Sequence, residues 1–479
     1  MTLDGALAYL ESFANFEQVH DPKAMRGVRL ERMRELLTRL GDPQRRFRTI
    51  VVAGTNGKGS ISAMLYSMLR ESAIRVGLYT SPHLEHFRER IRMWGGSTPS
   101  ADSPAERTHG DDWIGNADFA VLVERMQPAL DAMRREGPEN VPTYFEVLTA
   151  LAFLYFAERG VEVAVLEVGL GGRLDATNVV DQAVSVLGPI DVDHADILGA
   201  DPVAIAREKA GIIKSNQTVI SLPQRADVAA VLREAAAEHG VPMLRCGEEL
   251  QATVHEHDLD GLSVSITGIR GRYPRVSIPL LGRHQAQNAA AAIGALEALS
   301  SMGVPHSIAR RGLSRVIWPG RLEVVCDAPL VMLDGAHNPH AATALRDTLA
   351  ELCPGRRVHA LIGMSSDKSV EDVGRCLSGL AVSAICVRSR HPRALEPQAL
   401  AQRLAPFIPQ IEVMADPVDA YTYLLNTVPP NEAIVVTGSL FLVGELRAAL
   451  RQAHVRPRRR LRRVRAGDAF ASQTQEVGG

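Results

Sequence analysis

The amino-acid sequence predicts an α/β fold in two units, and three observations predict it. Short β-branched runs alternate with apolar patterns at helical spacing, the signature of a parallel, doubly wound sheet. One such run, Thr49–Ala53, passes directly through the glycine-rich turn Gly54-Thr55-Asn56-Gly57-Lys58-Gly59-Ser60 into a helical pattern of Ile61, Met64, Leu65, Met68 and Leu69. The alternation gives way to β-rich sequence at about 250–280 and restarts beyond Val304-Pro305. The reading is therefore a P-loop-type, doubly wound and mainly parallel N-terminal domain over residues 1–304, with a loop insertion near 95–117. A smaller, Rossmann-like C-terminal α/β domain follows over 305–452, and 453–479 form an arginine-rich tail expected to be disordered.

Composition narrows the function classes. A length of 479 residues exceeds one ordinary domain, and 46% apolar with 23% charged residues supplies ample core. The formal net charge of −2 gives no bulk attraction to nucleic acid or anionic membranes. The seven arginines between Arg456 and Arg465 are the exception, and a solvated terminus is preferred there over an RNA or lipid contact. Five cysteines, odd in number and without CxxC spacing, point to the reduced thiols of a cytoplasmic protein rather than to disulfides or a zinc site. No apolar run approaches the ~18 residues that span a bilayer. The opening Met1-Thr-Leu-Asp-Gly5 lacks the basic and apolar regions of a signal peptide.

Taken in order, residues 1–48 read as helices closed by Gly41-Asp-Pro43. In the turn that follows, glycines 54, 57 and 59 let backbone N–H groups curl around phosphate oxygens. The new helix adds its positive N-terminal end. Lys58 supplies a cation for the β- and γ-phosphates, and the Ser60 hydroxyl is a Mg²⁺ ligand candidate. The spacing departs from G-x-x-x-x-G-K-[ST]. A short strand Val76–Thr80 leads to Ser81-Pro82, helices are expected near 118–135 and 143–159, and Val161–Leu166 is a buried strand ending at Glu167. The glycine-rich loop Val168–Asn178, the strand Ala183–Leu187 and the loop Asp191-Val-Asp193-His194 come next. Asp201-Pro202 is an N-cap with a first-turn proline for a helix carrying Glu208, Lys209 and Lys214. Beyond the β-rich stretch, Gly282–Asn288 opens an alanine-rich helix to about Leu299. The second unit places strands at Leu322–Val325, Leu330–Leu333, Val358–Ile362, Ala384–Val387 and Ala433–Val436.

Ligands of such sheets sit at the carboxyl ends of the strands, and Ser60, Ser81, Glu167 and His194 all follow separate strands. Glu167 is flanked by Gly169, Gly171 and Gly172, which allow a ligand close to the backbone. His194 lies among Asp191, Asp193 and Asp196, a neighbourhood suited to a hard cation, though a packed histidine explains it equally well. Lys209 is either a solvated helix lysine or, given Ala206, Ala210, Ile212 and Ile213, an inward one with a lowered pKa. In Asp334-Gly-Ala-His337-Asn338-Pro339, Asp334 suits a ribose hydroxyl and His337 a transferring phosphate, unless the motif is only an Asx-capped turn. Arg321, in Trp318-Pro-Gly-Arg321, stands at the junction of the units where it can meet a γ-phosphate.

These motifs, in this order, resemble the folylpolyglutamate synthase/dihydrofolate synthase family of the Mur ligase superfamily of ATP-dependent amide-bond ligases. The resemblance runs from about Leu30 to Leu446 and includes Thr80–Leu84, Phe87–Arg92, Thr143–Glu146, Glu167–Asn178, Ile205–Lys214, His284-Gln285 with Asn288, Trp318–Arg321 and Asp334–Pro339. It implies ATP and Mg²⁺, the metal at two sites served by Ser60, Ser81, Glu167 and His194. It implies a carbamylated lysine at Lys209, which would be a further, carboxylate-like metal ligand. Gly54–Ser60, Asn288, Arg321 and Asp334 would contact ATP, and Lys58, Lys209, Arg321 and His337 would carry catalysis. Phe145, Leu174, Asp175 and Ala176 would meet the pterin-bearing substrate. The implied partners are a reduced folate or dihydropteroate, L-glutamate and ATP, handled by a monomer through an acyl-phosphate intermediate. A ligase joining an amino acid to another acid, or a nucleotide-dependent switch protein, stays open at this level.

Overall fold

The computed structural model describes residues 1–19, 21, 29–95, 110–299 and 305–452. The arginine-rich tail, positions 96–109 of the expected loop insertion and the expected boundary at 304 lie outside the described residues.

The first unit is a seven-stranded sheet. Its strands are β1 (Arg48–Ala53), β2 (Arg75–Tyr79), β3 (Ile91–Gly95), β4 (Val163–Glu167), β5 (Val184–Leu187), β6 (Thr218–Ser221) and β7 (Met243–Arg245), in the order β3-β2-β4-β1-β5-β6-β7. β2 and β3 pair antiparallel, and β1 runs parallel to both β4 and β5. Apolar side chains of β1, β4 and β5 alternate between two cores, one on each face, so these central strands are buried apart from Arg48 at the start of β1. That burial on both faces is why they read as continuous apolar runs.

The helix Tyr144–Glu158 lies within the first of these cores, with Val147 to Phe156 buried without interruption. Its start is fixed by a capping box in which Thr143 and Glu146 bond reciprocally to backbone N–H groups. Glu146 also takes Arg32 at 2.7 Å. On the opposite face the alanine-rich helix His284–Leu299 packs beside the helix Lys58–Arg70. Small side chains allow two helices to approach that closely. The helix His306–Ser314 lies on the same core through Ala309 and Leu313, and Ser67 donates to Gly312 O at 2.7 Å.

An antiparallel sheet of β8 (Gln251–Asp258), β9 (Gly261–Thr267) and β10 (Arg272–Ile278) covers one edge of that core. The second unit holds β11 (Glu323–Asp327), β12 (Leu330–Leu333), β13 (Val358–Ile362), β14 (Ala381–Cys386), β15 (Gln410–Val413) and β16 (Ala433–Thr437), ordered β11-β12-β16-β13-β14-β15. It too has an apolar core on each face, so the α/β class with a second, smaller α/β sheet is as expected. β3, β6, β7 and β15 are strands that the sequence reading omits. Each is short or lies at or near a sheet edge, where one exposed side breaks the apolar run. All five cysteines are free thiols, and no described helix is long and apolar enough to cross a membrane.

Candidate active site

The phosphate loop leaves β1 at the centre of the first sheet. Gly54 and Gly57 have φ of 146° and 80°, a region that side chains disfavour. A Cβ on Gly54 would lie 2.8 Å from Gly188 Cα, so the loop turns where two backbones touch. Thr55 ties the loop down by donating to Asp191 O at 2.8 Å, and its N–H reaches Pro189 O at 2.9 Å. A Cβ on Gly59 would strike the Trp318 ring at 2.8 Å, bringing the junction segment against the loop. Asn288, from the alanine-rich helix, faces Gly57 and donates to Gln285 Oε1 at 3.0 Å, while Gln285 Nε2 points to Ser60 Oγ at 3.4 Å.

Two lysines converge here. Lys58 Nζ donates to Gly54 O at 3.0 Å and Thr55 O at 3.2 Å, and Lys209 Nζ donates to the same Gly54 O at 3.0 Å. Lys209 is 5% exposed, so it is the inward lysine and not the solvated one. Burial, with the Lys58 charge beside it, lowers its pKa to about 7. Burial lowers Lys58 as well, against the opposing pull of Glu167 and Asp193. Glu167, the last residue of β4, accepts from Ser81 N at 3.3 Å, and burial raises its pKa to about 6 against the pull of Lys58 and Arg321.

The second unit supplies the opposite wall. Asp334 accepts from Leu322 N and Ala336 N, both at 2.9 Å, so its buried carboxyl fastens the turn that presents Arg321. Burial lowers the Arg321 pKa, and Asp334 and Glu167 are its nearest countercharges. His337 bonds through Nδ1 to Gly335 O at 2.8 Å and places Nε2 3.5 Å from Asp193 Oδ2. Asn338 caps the helix Pro339–Leu352 through Ala341 N and also donates to Asn56 Oδ1 at 3.1 Å. The Asx-capped turn and the site residue are thus one structure. His194 sits at φ 52°, half-buried, its pKa lowered by desolvation and by Lys368.

A cleft of about 640 Å³ opens from this corner between the units, with Ser81, His194 and His337 on its wall. Phe145, Leu174, Asp175 and Ala176 line it as well, beside Gly169–Gly172. A Cβ on Gly169 would lie 2.7 Å from the Phe145 ring, so glycine is needed for that loop to close on the ring. Asp175 differs from its neighbours. Its oxygens accept from Gly169 N at 2.9 Å, Leu170 N at 3.0 Å and Thr177 N at 2.9 Å, so it shapes the glycine loop. Sequence reasoning misses Ser365 and Lys368 and reads the strand-end loops His391–Ala394 and Thr437–Phe441, which hold Arg393 and Ser439, as mostly structural; all four residues line the cleft from loops at the ends of second-unit strands. The strand-end rule that found Ser81 and His194 applies to them equally. Among the described residues no group of three or more His, Cys, Asp or Glu side chains stands ready to hold a metal.

Known proteins share this architecture. Residues 117–296 match the Mur ligase middle domain, and 320–440 match the Mur ligase glutamate ligase domain. The chain is 35% identical over 428 residues to the dihydrofolate synthase/folylpolyglutamate synthase of Bacillus subtilis, covering 88% of this chain and 95% of that protein. It is 34% identical to the Mycobacterium tuberculosis enzyme of the same name, over 87% of this chain and 89% of that one. The Mycobacterium tuberculosis folylpolyglutamate synthase complexed with ADP superposes with a TM-score of 0.83 at 31% identity, covering 93% and 98% of the two chains. Escherichia coli FolC in complex with DHPP and ADP gives 0.80 at 30% identity, covering 95% and 99%. With this coverage and identity on top of the site geometry, the chain belongs to the dihydrofolate synthase/folylpolyglutamate synthase family of Mur ligases.

Proposed function

We propose that the chain is an ATP-dependent ligase that joins L-glutamate to the carboxylate of a folate, and of dihydropteroate as well. One observation carries the reading: Ser81, whose N–H donates to Glu167 next to Lys58, stands on the wall of a cleft lined by Phe145 and the glycine loop on one side and by His337, Lys368 and Arg393 on the other. A flat apolar ring system fits the first wall, and the anionic acid groups fit His337 and Arg393 on the second. ATP's terminal phosphate then stands at the meeting point. Its transfer to the bound carboxylate gives an acyl phosphate, which the glutamate amine attacks with loss of phosphate. Lys58 and Arg321 neutralise charge on the transferring group. The closed, buried corner excludes water from the acyl phosphate.

The residues present fit Mg²⁺, which retains water and shares phosphate oxygens, so one carboxylate and two hydroxyls suffice. Glu167, Ser60 and Ser81 would hold it at one site, and His194 with a carbamylated Lys209 would serve a second. Bound Mg²⁺ would supply Lewis-acid stabilisation of the phosphate oxygens. Lys209 suits carbamylation because its burial leaves much of the amine neutral near pH 7. Asn288 and Asp334 are assigned to the adenosine end, Asp334 partly through the turn it fastens. We place the change-over between units within Trp318–Leu322, because Val316 still lies in the first core and Leu322 lies in the second. A monomer in a cytoplasmic setting is the simplest form consistent with these parts.

The test is ADP release by the purified chain with each reactant left out in turn. Release that needs both a pteroate-type acid and glutamate supports the reading. Release with ATP alone would return the chain to the switch class.

A further inference from the structure

Asp193 stands one residue before His194, yet its side chain is engaged mainly by the other unit. Oδ1 accepts from Lys368 Nζ at 2.6 Å and from His194 N at 2.8 Å. Oδ2 accepts from Asn338 Nδ2 at 3.0 Å and lies 3.5 Å from His337 Nε2. One carboxylate therefore joins the His194 turn of the first unit to three side chains of the second. Lys368 lies 9% exposed and Asp193 11%, so the pair is protected from the screening that makes surface ion pairs weak.

The contacts extend in both directions from this pair. Asn338, held by Asp193, reaches Asn56 in the phosphate loop at 3.1 Å. On the other side, Lys368 Nζ lies 3.5 Å from Asp367, whose Oδ1 is 3.4 Å from Arg393 Nη1. Lys368 and Arg393 line the cleft. A continuous polar path thus runs from the cleft wall through Lys368 and Asp193 to the phosphate loop. His194 depends on it too: its left-handed backbone at φ 52° costs about 1 kcal/mol or more, and the Asp193 carboxylate on its N–H holds it there. Nothing in the expected roles of Ser60, Glu167 or Lys209 uses this carboxylate.

We propose that Asp193 and Lys368 are positioning residues whose ion pair fixes His337 and Asn338 against the phosphate loop, so that the acid in the cleft and the terminal phosphate of ATP meet in line. The proposal rests on the ligase reading given above. Neither residue touches the reacting atoms. Both act on the alignment of the two units, which governs turnover more than the binding of either substrate by itself.

The experiment is a double-mutant cycle on glutamate-dependent ADP release at saturating ATP, using Asp193→Asn, Lys368→Met and the double variant, with ADP affinity measured alongside. Each single variant is expected to lower kcat by about tenfold or more, while ADP Kd stays within about twofold because Gly54–Ser60 are untouched. The double variant is expected to be no slower than the worse single one, since both break one contact. Multiplicative losses would overturn the pairing, and an unchanged kcat in Lys368→Met would overturn the positioning role. If Asp193→Asn does not fold, Lys368→Met alone decides by the same kcat and Kd criteria. An inactive wild type would instead sink the ligase reading, which keeps the two failures distinct.

Discussion

Lys209→Met separates stability from function at the heart of the site. The buried amine has its pKa at about 7 instead of 10.5, desolvation being the main cause. Between those two values the unfolded chain carries the proton and the folded chain does not. Stability therefore rises with pH across the window, and below about 7 the full penalty is present. At about 1.4 kcal/mol per pK unit, the penalty is about 4 kcal/mol at pH 7 and about 1.4 kcal/mol at pH 9.5. Methionine fills the same apolar space without the charge. Gly54 O, which loses Lys209, keeps Lys58 Nζ at 3.0 Å, so the carbonyl is not left bare. In CO₂-free buffer the variant is expected to be more stable than wild type by about 2–4 kcal/mol at pH 7, the gap shrinking by more than half at pH 9.5. Its ligase rate should fall by about 100-fold or more, since no carbamate can form. Urea unfolding at the two pH values, followed by far-UV circular dichroism, measures the first part, and ADP release the second. A variant no more stable than wild type at pH 7, or a gap that ignores pH, would refute the reasoning.

Other perturbations follow from the same geometry. Because burial holds Glu167 at about 6, and only its ionised form suits Mg²⁺, kcat/KM should fall as pH drops through about 6; a profile flat down to pH 5 would exclude Glu167 as the ligand. Gly188→Ala puts a Cβ 2.5 Å from Asn56 O and should weaken ADP binding by about tenfold or more in calorimetry, through displacement of the phosphate loop. Asp175→Ala frees the N–H groups of Gly169, Leu170 and Thr177. It should cost about 2–4 kcal/mol in urea unfolding and raise KM for the acid more than for ATP.

Much of the site was legible because strand ends announce themselves. Ser81, Glu167 and His194 each follow an apolar run that could only be a buried strand, and the fold brings them to one corner. Ala206, Ala210, Ile212 and Ile213 left Lys209 open between a solvated and an inward side chain, and its bond to Gly54 O decides for the inward one. What stayed hidden depends on distant partners. Asp193 and Lys368 are 175 positions apart, and no local pattern links them. Asp175 is a substrate contact only by the family resemblance, while its bonds to Gly169, Leu170 and Thr177 are set by how that loop closes. Gln285 meets Ser60 only because two helices pack side by side. β15 was missed for the reason that edge strands often are: three of its four residues are exposed.

The central claim is that a carboxylate is activated by ATP and captured by an amine at the corner where Lys58, Glu167 and Arg321 converge. Mass spectrometry of the acid after incubation with ATP, Mg²⁺ and L-glutamate tests it most directly. The account predicts an acid heavier by one glutamyl residue, with one ADP formed per addition and neither seen with Lys58→Ala. ATP consumed by the wild-type chain with the acid recovered unchanged would contradict it.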